Sequence, residues 1–142
     1  MNWKKKEISI KANKRGFSLI TKEIIKQLPF IENYNIGILH LFIKHTSASI
    51  TINENCDSTV RNDLKTHFDK MVPEQQKYYT HIFEGPDDMP AHIKSSIIGN
   101  NLNIPISNGK LDLGIWQGIY LCEHRNNPPI RIITATINGE IY

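Results

Sequence analysis

Cysteine is scarce in this sequence. Only Cys56 and Cys122 occur, far apart, in no CxxC pair and with no Cys/His zinc spacing. That excludes a disulfide framework and a zinc ribbon. No signal-peptide pattern opens the chain, so two free thiols in a reducing cytoplasm are the expectation. Long apolar runs are missing as well. None approaches the roughly 20 residues needed to cross a bilayer, so no membrane role is expected. Charge of one sign is also wanting: 17 Lys and Arg face 14 Asp and Glu, a net charge of +3. A nucleic-acid binder concentrates its cations into a stripe, because phosphate neutralisation supplies most of its affinity. Here the one basic cluster is Lys4, Lys5 and Lys6, with Lys11, Lys14 and Arg15 after it. It reads as a solvated edge strand, where Lys discourages edge-to-edge pairing, and nucleic acid is not an expected partner. Signatures of nucleotide and nucleophile chemistry are absent too. Lys110 is followed by Leu111 rather than Ser or Thr, no GxGxxG follows a strand, and neither Ser47 nor Cys122 sits in a nucleophile elbow.

What remains is ordinary globular material, 39% hydrophobic and 22% charged. A chain of 142 residues suits one domain over residues 1–142, burying about two-thirds of its unfolded surface. Ile8 and Ile10 alternate as in a half-buried strand. Leu19, Ile20, Ile24, Ile25 and Leu28 recur at helical spacing, which predicts a first helix capped by Ser18 or Thr21 and ended by Pro29. Residues 36–44 read as a buried strand and residues 49–52 as its neighbour. Asp57 caps a second helix with a core face of Val60, Leu64, Phe68 and Met71, ended by Pro73. A strand is expected from about Lys77 to Phe83. A third helix then starts at Asp87 or Asp88, with Pro90 near its first position and Gly99 behind it. Strands follow at residues 102–106, 110–124 and 130–138, the second of them able to bend at Gly114 and Gly118. Helices interleaved early and strands clustered late make the fold class α+β.

Of six histidines, His40 sits inside an apolar strand and His67 on a polar helix face, both ordinary structural positions. His45, His81, His92 and His124 fall at element ends or beside turns, where scaffolds place functional groups. No HxxxH or HExxH pattern joins them, so a shared metal site must be assembled by the fold. Imidazoles suit zinc and similar ions, whereas a harder ion such as magnesium also wants carboxylates, available at Glu54, Glu84, Asp87 and Asp88. Those carboxylates read equally well as caps and turn residues. The start of the third helix offers free N–H groups to a phosphate, with His92 and Lys94 as added donors. A plainly capped helix, with Ser95 and Ser96 at a tight contact, is the competing reading.

At this point blocks of residues resemble a known family. His45-Thr46-Ser47-Ala48-Ser49 with Asn53-Glu54-Asn55, Tyr79-Thr80-His81 with Glu84-Gly85, and the run from Asp88 to Ser96 resemble the YjbQ family, also called the secondary thiamine-phosphate synthase family. Pro105-Ile106, Asn108-Gly109, the run from Leu113 to Tyr120, Glu123-His124-Arg125 and the strand from Arg131 to Gly139 complete the likeness. Ile115 departs from it, standing where Thr is expected before Trp116-Gln117.

The resemblance implies a mixed, largely antiparallel sheet curled towards a barrel with about three helices packed on it, assembled as a homotrimer. It implies a polar pocket where His45, His81 and His92 converge around a divalent ion of the zinc or magnesium class. It also implies a small phosphorylated metabolite as substrate and a weak thiamine-phosphate synthase activity that releases pyrophosphate. On that basis His45, His92, Glu54 and Arg125 are the catalytic candidates. Lys94, Ser95, Trp116 and Gln117 are the candidates for substrate binding, with Trp116 either stacking on a pyrimidine or filling core. A non-catalytic trimer that captures a metabolite or metal through the same histidines is the rival reading.

Overall fold

The structure, a computed structural model, describes residues 2–142. In chain order its elements are β1 (Asn2–Ile10), β2 (Gly16–Leu19), α1 (Thr21–Gln27), a 3-10 turn (Pro29–Asn33), β3 (Tyr34–Ile43), β4 (Ala48–Glu54), α2 (Ser58–Met71), α3 (Asp88–Ile98), β5 (Asn101–Ser107), β6 (Lys110–Leu111), β7 (Gln117–Glu123) and β8 (Arg131–Ile141). The class is α+β, with antiparallel strands curled into a half-barrel. The strands divide between a five-stranded sheet in the order β1-β8-β3-β5-β6 and a three-stranded sheet in the order β2-β7-β4. Lys4, Lys5 and Lys6 do lie on an edge strand, β1, paired only with β8.

Alternation on each strand decides which residues meet between the sheets. Leu39, Leu41 and Ile43 of β3 turn inward with Ile133, Ala135 and Ile137 of β8, against Ile50 of β4 and Ile119 and Leu121 of β7. Ile20, Ile24 and Leu28 close the same cluster from around α1. Burying each of these Ile and Leu side chains is worth about 1.5–3 kcal/mol, so this apolar seam holds the two sheets together. On the opposite face of β3, Ile36, Ile38 and Phe42 stay exposed. The β5–β6 hairpin turns at Asn108 and Gly109, with φ of 51° and 74°. Two consecutive positive φ values make the turn that suits the strands' twist, and they select Asn-Gly.

Several sequence expectations are corrected. Ser18 and Leu19 belong to β2, and α1 has Ile20 at its cap with no side-chain bond; the Thr21 hydroxyl instead accepts the Ile119 N–H. β4 is not the neighbour of β3, since it pairs with β7 in the other sheet. The apolar stripe of α2 is only half buried, and Met71 is exposed. No strand forms between Lys77 and Phe83, where Tyr78, Ile82 and Phe83 point to solvent. β-branched and aromatic composition alone did not secure a pairing partner there. Pro90, expected near the first position of α3, is its third residue. The long strand expected from Lys110 is cut by a turn over residues 112–116, so β6 and β7 serve different sheets. Asp57 does cap α2, accepting the Thr59 N–H at 2.9 Å.

Candidate functional site

Three segments meet beside the start of α3. The first is the crossover between β3 and β4, the second the loop before α3, and the third the chain leaving β7. Asp88 opens α3 and is almost fully buried. Its Oδ2 lies 2.7 Å from His81 Nε2 and 3.1 Å from His92 Nε2. Asp88 and His92 are four residues apart on one helix, which stacks them on one face. His81 reaches the same oxygen from the preceding loop, and the two rings sit 5.3 Å apart. One ligand atom from each of the three residues lies within 4.8 Å of the others.

Further contacts fix these groups. His92 Nδ1 lies 2.9 Å from the Thr46 carbonyl oxygen. A carbonyl only accepts, so Nδ1 carries a proton and Nε2 is the nitrogen presented to Asp88. On the other side, Arg125 Nη1 donates to Asp88 Oδ1 at 2.5 Å, Nε donates to Asp87 Oδ2 at 2.9 Å, and Nη2 donates to the Glu84 carbonyl at 2.8 Å. Burial works to raise the Asp88 carboxyl. The His81 hydrogen bond, with the charges of His92 and Arg125, outweighs burial and holds it below the usual carboxylate range. Asp87 is held low in the same way, burial being outweighed by the Asn126 amide and Arg125.

Beneath lies a fully buried ion pair. Arg131 Nε and Nη2 donate to Glu123 Oε1 and Oε2 at 2.6 and 2.5 Å. Arg131 also donates to the Ser47 carbonyl, and Glu123 Oε2 accepts the Arg125 backbone N–H. This pair ties the β3–β4 crossover to the residue that grips Asp88. Nearby His124, also buried, meets Ser49 Oγ through its Nε2 at 2.8 Å. Burial, aided by the Lys94 and Arg131 charges, pushes its pKa down to about 3.

The residues singled out from sequence scatter more than expected. His81 and His92 come together. His45 lines the same cleft as His92, but its Nε2 accepts the Ile132 N–H at 2.8 Å. Burial first, then Arg131, lowers its pKa, consistent with a neutral ring. Ser95 lines that cleft too. Lys94 is buried on the other side of α3, donating to Asp69 at 2.6 Å, and is not at a solvent edge. Glu54 accepts the Cys56 and Asp57 amides ahead of α2. Trp116 is exposed, and the Gln117 side chain accepts the Gly114 N–H. Glu54 pairs with Gln117 at one end of the β4–β7 ladder, while Ala48 pairs with Glu123 at the other. Six strand steps separate those ends by roughly 20 Å, so Glu54, Trp116 and Gln117 stand apart from the histidines within one chain. The α3 N-terminus carries the Asp87 and Asp88 carboxylates, which repel an anion there. Asp88 figures in the sequence reading as a helix start and as one of four available carboxylates, outside the three-histidine metal set, although its spacing to His92 on a helix is a usable signal.

Two imidazole nitrogens and a carboxylate oxygen are a donor set that fits a divalent ion of the zinc class. The Thr46 carbonyl and Arg125 guanidinium are the outer contacts that orient such ligands. No helix among the described residues is long and apolar enough to cross a membrane.

The whole chain also has close likenesses. Residues 6–140 match the family described as UPF0047 protein YjbQ-like. The UPF0047 protein YjbQ of Escherichia coli O157:H7 is 49% identical over 138 residues, covering 97% of this chain and 99% of its own. Among solved structures, a YjbQ/UPF0047 protein from Clostridium acetobutylicum is 36% identical with a TM-score of 0.78, covering 94% of this chain and 98% of its own. A conserved hypothetical protein from Thermus thermophilus is 29% identical with a TM-score of 0.79, covering 90% of this chain and 96% of its own. Sequence blocks, topology and overall likeness thus agree: the chain belongs to the YjbQ-like UPF0047 family.

Proposed function

We propose that this protein is a metal-assisted enzyme acting on a phosphorylated small molecule. One observation carries the reading: His81, His92 and Asp88 present three ligand atoms within 4.8 Å of one another, and His92 also lines a neighbouring cleft. Three protein ligands leave a coordination position open, the arrangement of catalytic rather than structural zinc sites. The imidazole pair favours a zinc-class ion over magnesium, which prefers oxygen ligands. When bound, such an ion supplies Lewis acidity towards a phosphoryl oxygen or a leaving group. His81, His92 and Asp88 are its holders. Arg125 is a positioning residue, since all three of its bonded nitrogens are engaged by Asp87, Asp88 and the Glu84 carbonyl.

Within that class, the family resemblance favours joining of a pyrimidine pyrophosphate to a thiazole phosphate with release of pyrophosphate. The exposed Ile36, Ile38 and Phe42 on the outer face of β3 favour assembly with further copies, as a homotrimer. A trimer also offers a way for Glu54, Trp116 and Gln117 of one subunit to approach the histidines of another.

The test is metal analysis of purified protein and of His92→Ala, followed by ³¹P NMR with phosphorylated metabolites. A divalent ion retained by wild type and lost by the variant, with turnover, supports the proposal. An ion without turnover of any phosphorylated compound leaves a metal- or metabolite-binding protein, and no ion in either protein defeats it.

A further inference from the structure

The tautomer of His45 is fixed by its surroundings. The Ile132 backbone N–H donates to its Nε2. A neutral imidazole accepting at Nε2 carries its proton on Nδ1. Neither nitrogen then has a lone pair for a cation, and Nδ1 is a donor. No acceptor meets that Nδ1–H among the described residues.

The ring forms part of a cleft of about 220 Å³ between the β3–β4 crossover and α3, with Thr46, His92, Ser95 and Asn100 among the other walls. This is small beside a drug-sized pocket and suited to one compact polar group. None of its lining residues is acidic. Ser95, three residues beyond His92 on the same helix face, holds a buried Oγ with no hydrogen-bond partner. It is the one such side-chain atom among the described residues, and a buried orphan of this kind calls for an explanation. Asn100 accepts the Asn101 side chain at its Oδ1, which turns its Nδ2 donors elsewhere. Three donor-capable groups therefore border one acid-free cleft, and His92 joins that cleft to Asp88.

We propose that the cleft between His45 and Ser95 is an oxyanion subsite that takes the phosphoryl group of the substrate. His45 Nδ1–H, the Ser95 hydroxyl and the Asn100 amide are its donors, so His45 binds substrate and is not a metal ligand. The assignment deepens the reading of a phosphorylated substrate and rests on it. It also moves the anion away from the α3 N-terminus, where two carboxylates stand.

Calorimetry on wild type, His45→Ala and Ser95→Ala tests it, with Zn²⁺ alone and inorganic phosphate alone as separate probes. Removing a donor to a charged group should weaken phosphate roughly tenfold or more in each variant. Zn²⁺ affinity should stay within about twofold in both, since neither residue is a ligand. ¹⁵N NMR of the wild-type imidazoles should find His45 protonated at Nδ1, a readout independent of how His45→Ala folds. Three results overturn the subsite: phosphate binding unchanged in Ser95→Ala and His45→Ala, His45 protonated at Nε2, or Zn²⁺ lost in a folded His45→Ala. Failure of wild type to bind Zn²⁺ strikes the metal-assisted reading instead, and the phosphate arm still judges the subsite by the same comparison.

Discussion

Arg125 grips Asp88 through the carboxylate oxygen that the histidines do not use. Its Nη1 donates to Oδ1 at 2.5 Å while His81 and His92 meet Oδ2. Truncating Arg125 to Ala leaves two buried carboxylates, Asp87 and Asp88, without their cation. Stability in urea should fall by about 2–3 kcal/mol. Metal affinity should weaken roughly 10- to 100-fold, the effect of losing an outer contact to a ligand. Unchanged metal affinity in a folded Arg125→Ala would remove Arg125 from the site.

The Glu123–Arg131 pair is buried on both sides. Glu123→Gln leaves the Arg131 charge uncompensated and should cost about 3–5 kcal/mol. Because the pair also holds Ser47 and the Arg125 amide, metal affinity should drop in the same variant even well below its unfolding midpoint. A double replacement by apolar residues of matching volume should recover much of the stability without the affinity. Denaturant curves and metal titrations on the two variants separate these effects.

His124 makes stability depend on pH above the carboxylate range. Its folded pKa is about 3 against an ordinary 6.5. Between those values the unfolded chain takes up a proton that the folded chain refuses, so stability is lost as pH falls. The slope is about 1.4 kcal/mol per pH unit below 6.5, or about 2 kcal/mol between pH 7.5 and 5. Asp69, Asp87 and Asp88, all held low, lose their contributions only below about pH 4, so they do not obscure this window. His124→Asn should lessen the dependence, leaving the share of His45, whose pKa burial also lowers, and equal slopes in both proteins would count against the burial argument.

Lys94 should behave as a structural residue. Its Nζ is buried against Asp69, which Lys65 also contacts. Lys94→Met keeps the packing stem and removes the charge, and should cost about 1–3 kcal/mol in stability. Phosphate affinity should be unchanged. A tenfold loss of phosphate in that variant would instead return Lys94 to the substrate site.

The sequence carried the core strands β3 and β8 and the start of α2 well, because periodicity and caps act over a few residues. Leu39, Leu41 and Ile43 alternate visibly, and Asp57 caps where it should. It failed where partners lie far along the chain. The run from Lys77 to Phe83 has strand composition, yet it pairs with no strand and runs as loop to deliver His81. Residues 110–124 read as one strand because nothing local says that β6 and β7 join different sheets. The histidine cluster was half legible. His81 and His92 stood out, but the role of Asp88 was hidden by its equal fitness as a cap. The Ile132 amide that commits His45 to one tautomer lies 87 residues away.

The β1–β8 ladder has a practical consequence. Asn2 pairs with Gly139 at one end, and Ile10 pairs with Arg131 at the other, next to the crossover that carries His45. Eight strand steps, roughly 27 Å, separate the two ends. The first and last strands thus enter and leave side by side, on the side of the molecule away from the histidines. A short peptide joining them would close the chain into a ring at the end of the ladder remote from the cleft. An affinity handle or surface tether placed at either end would hold the molecule with its cleft facing outward.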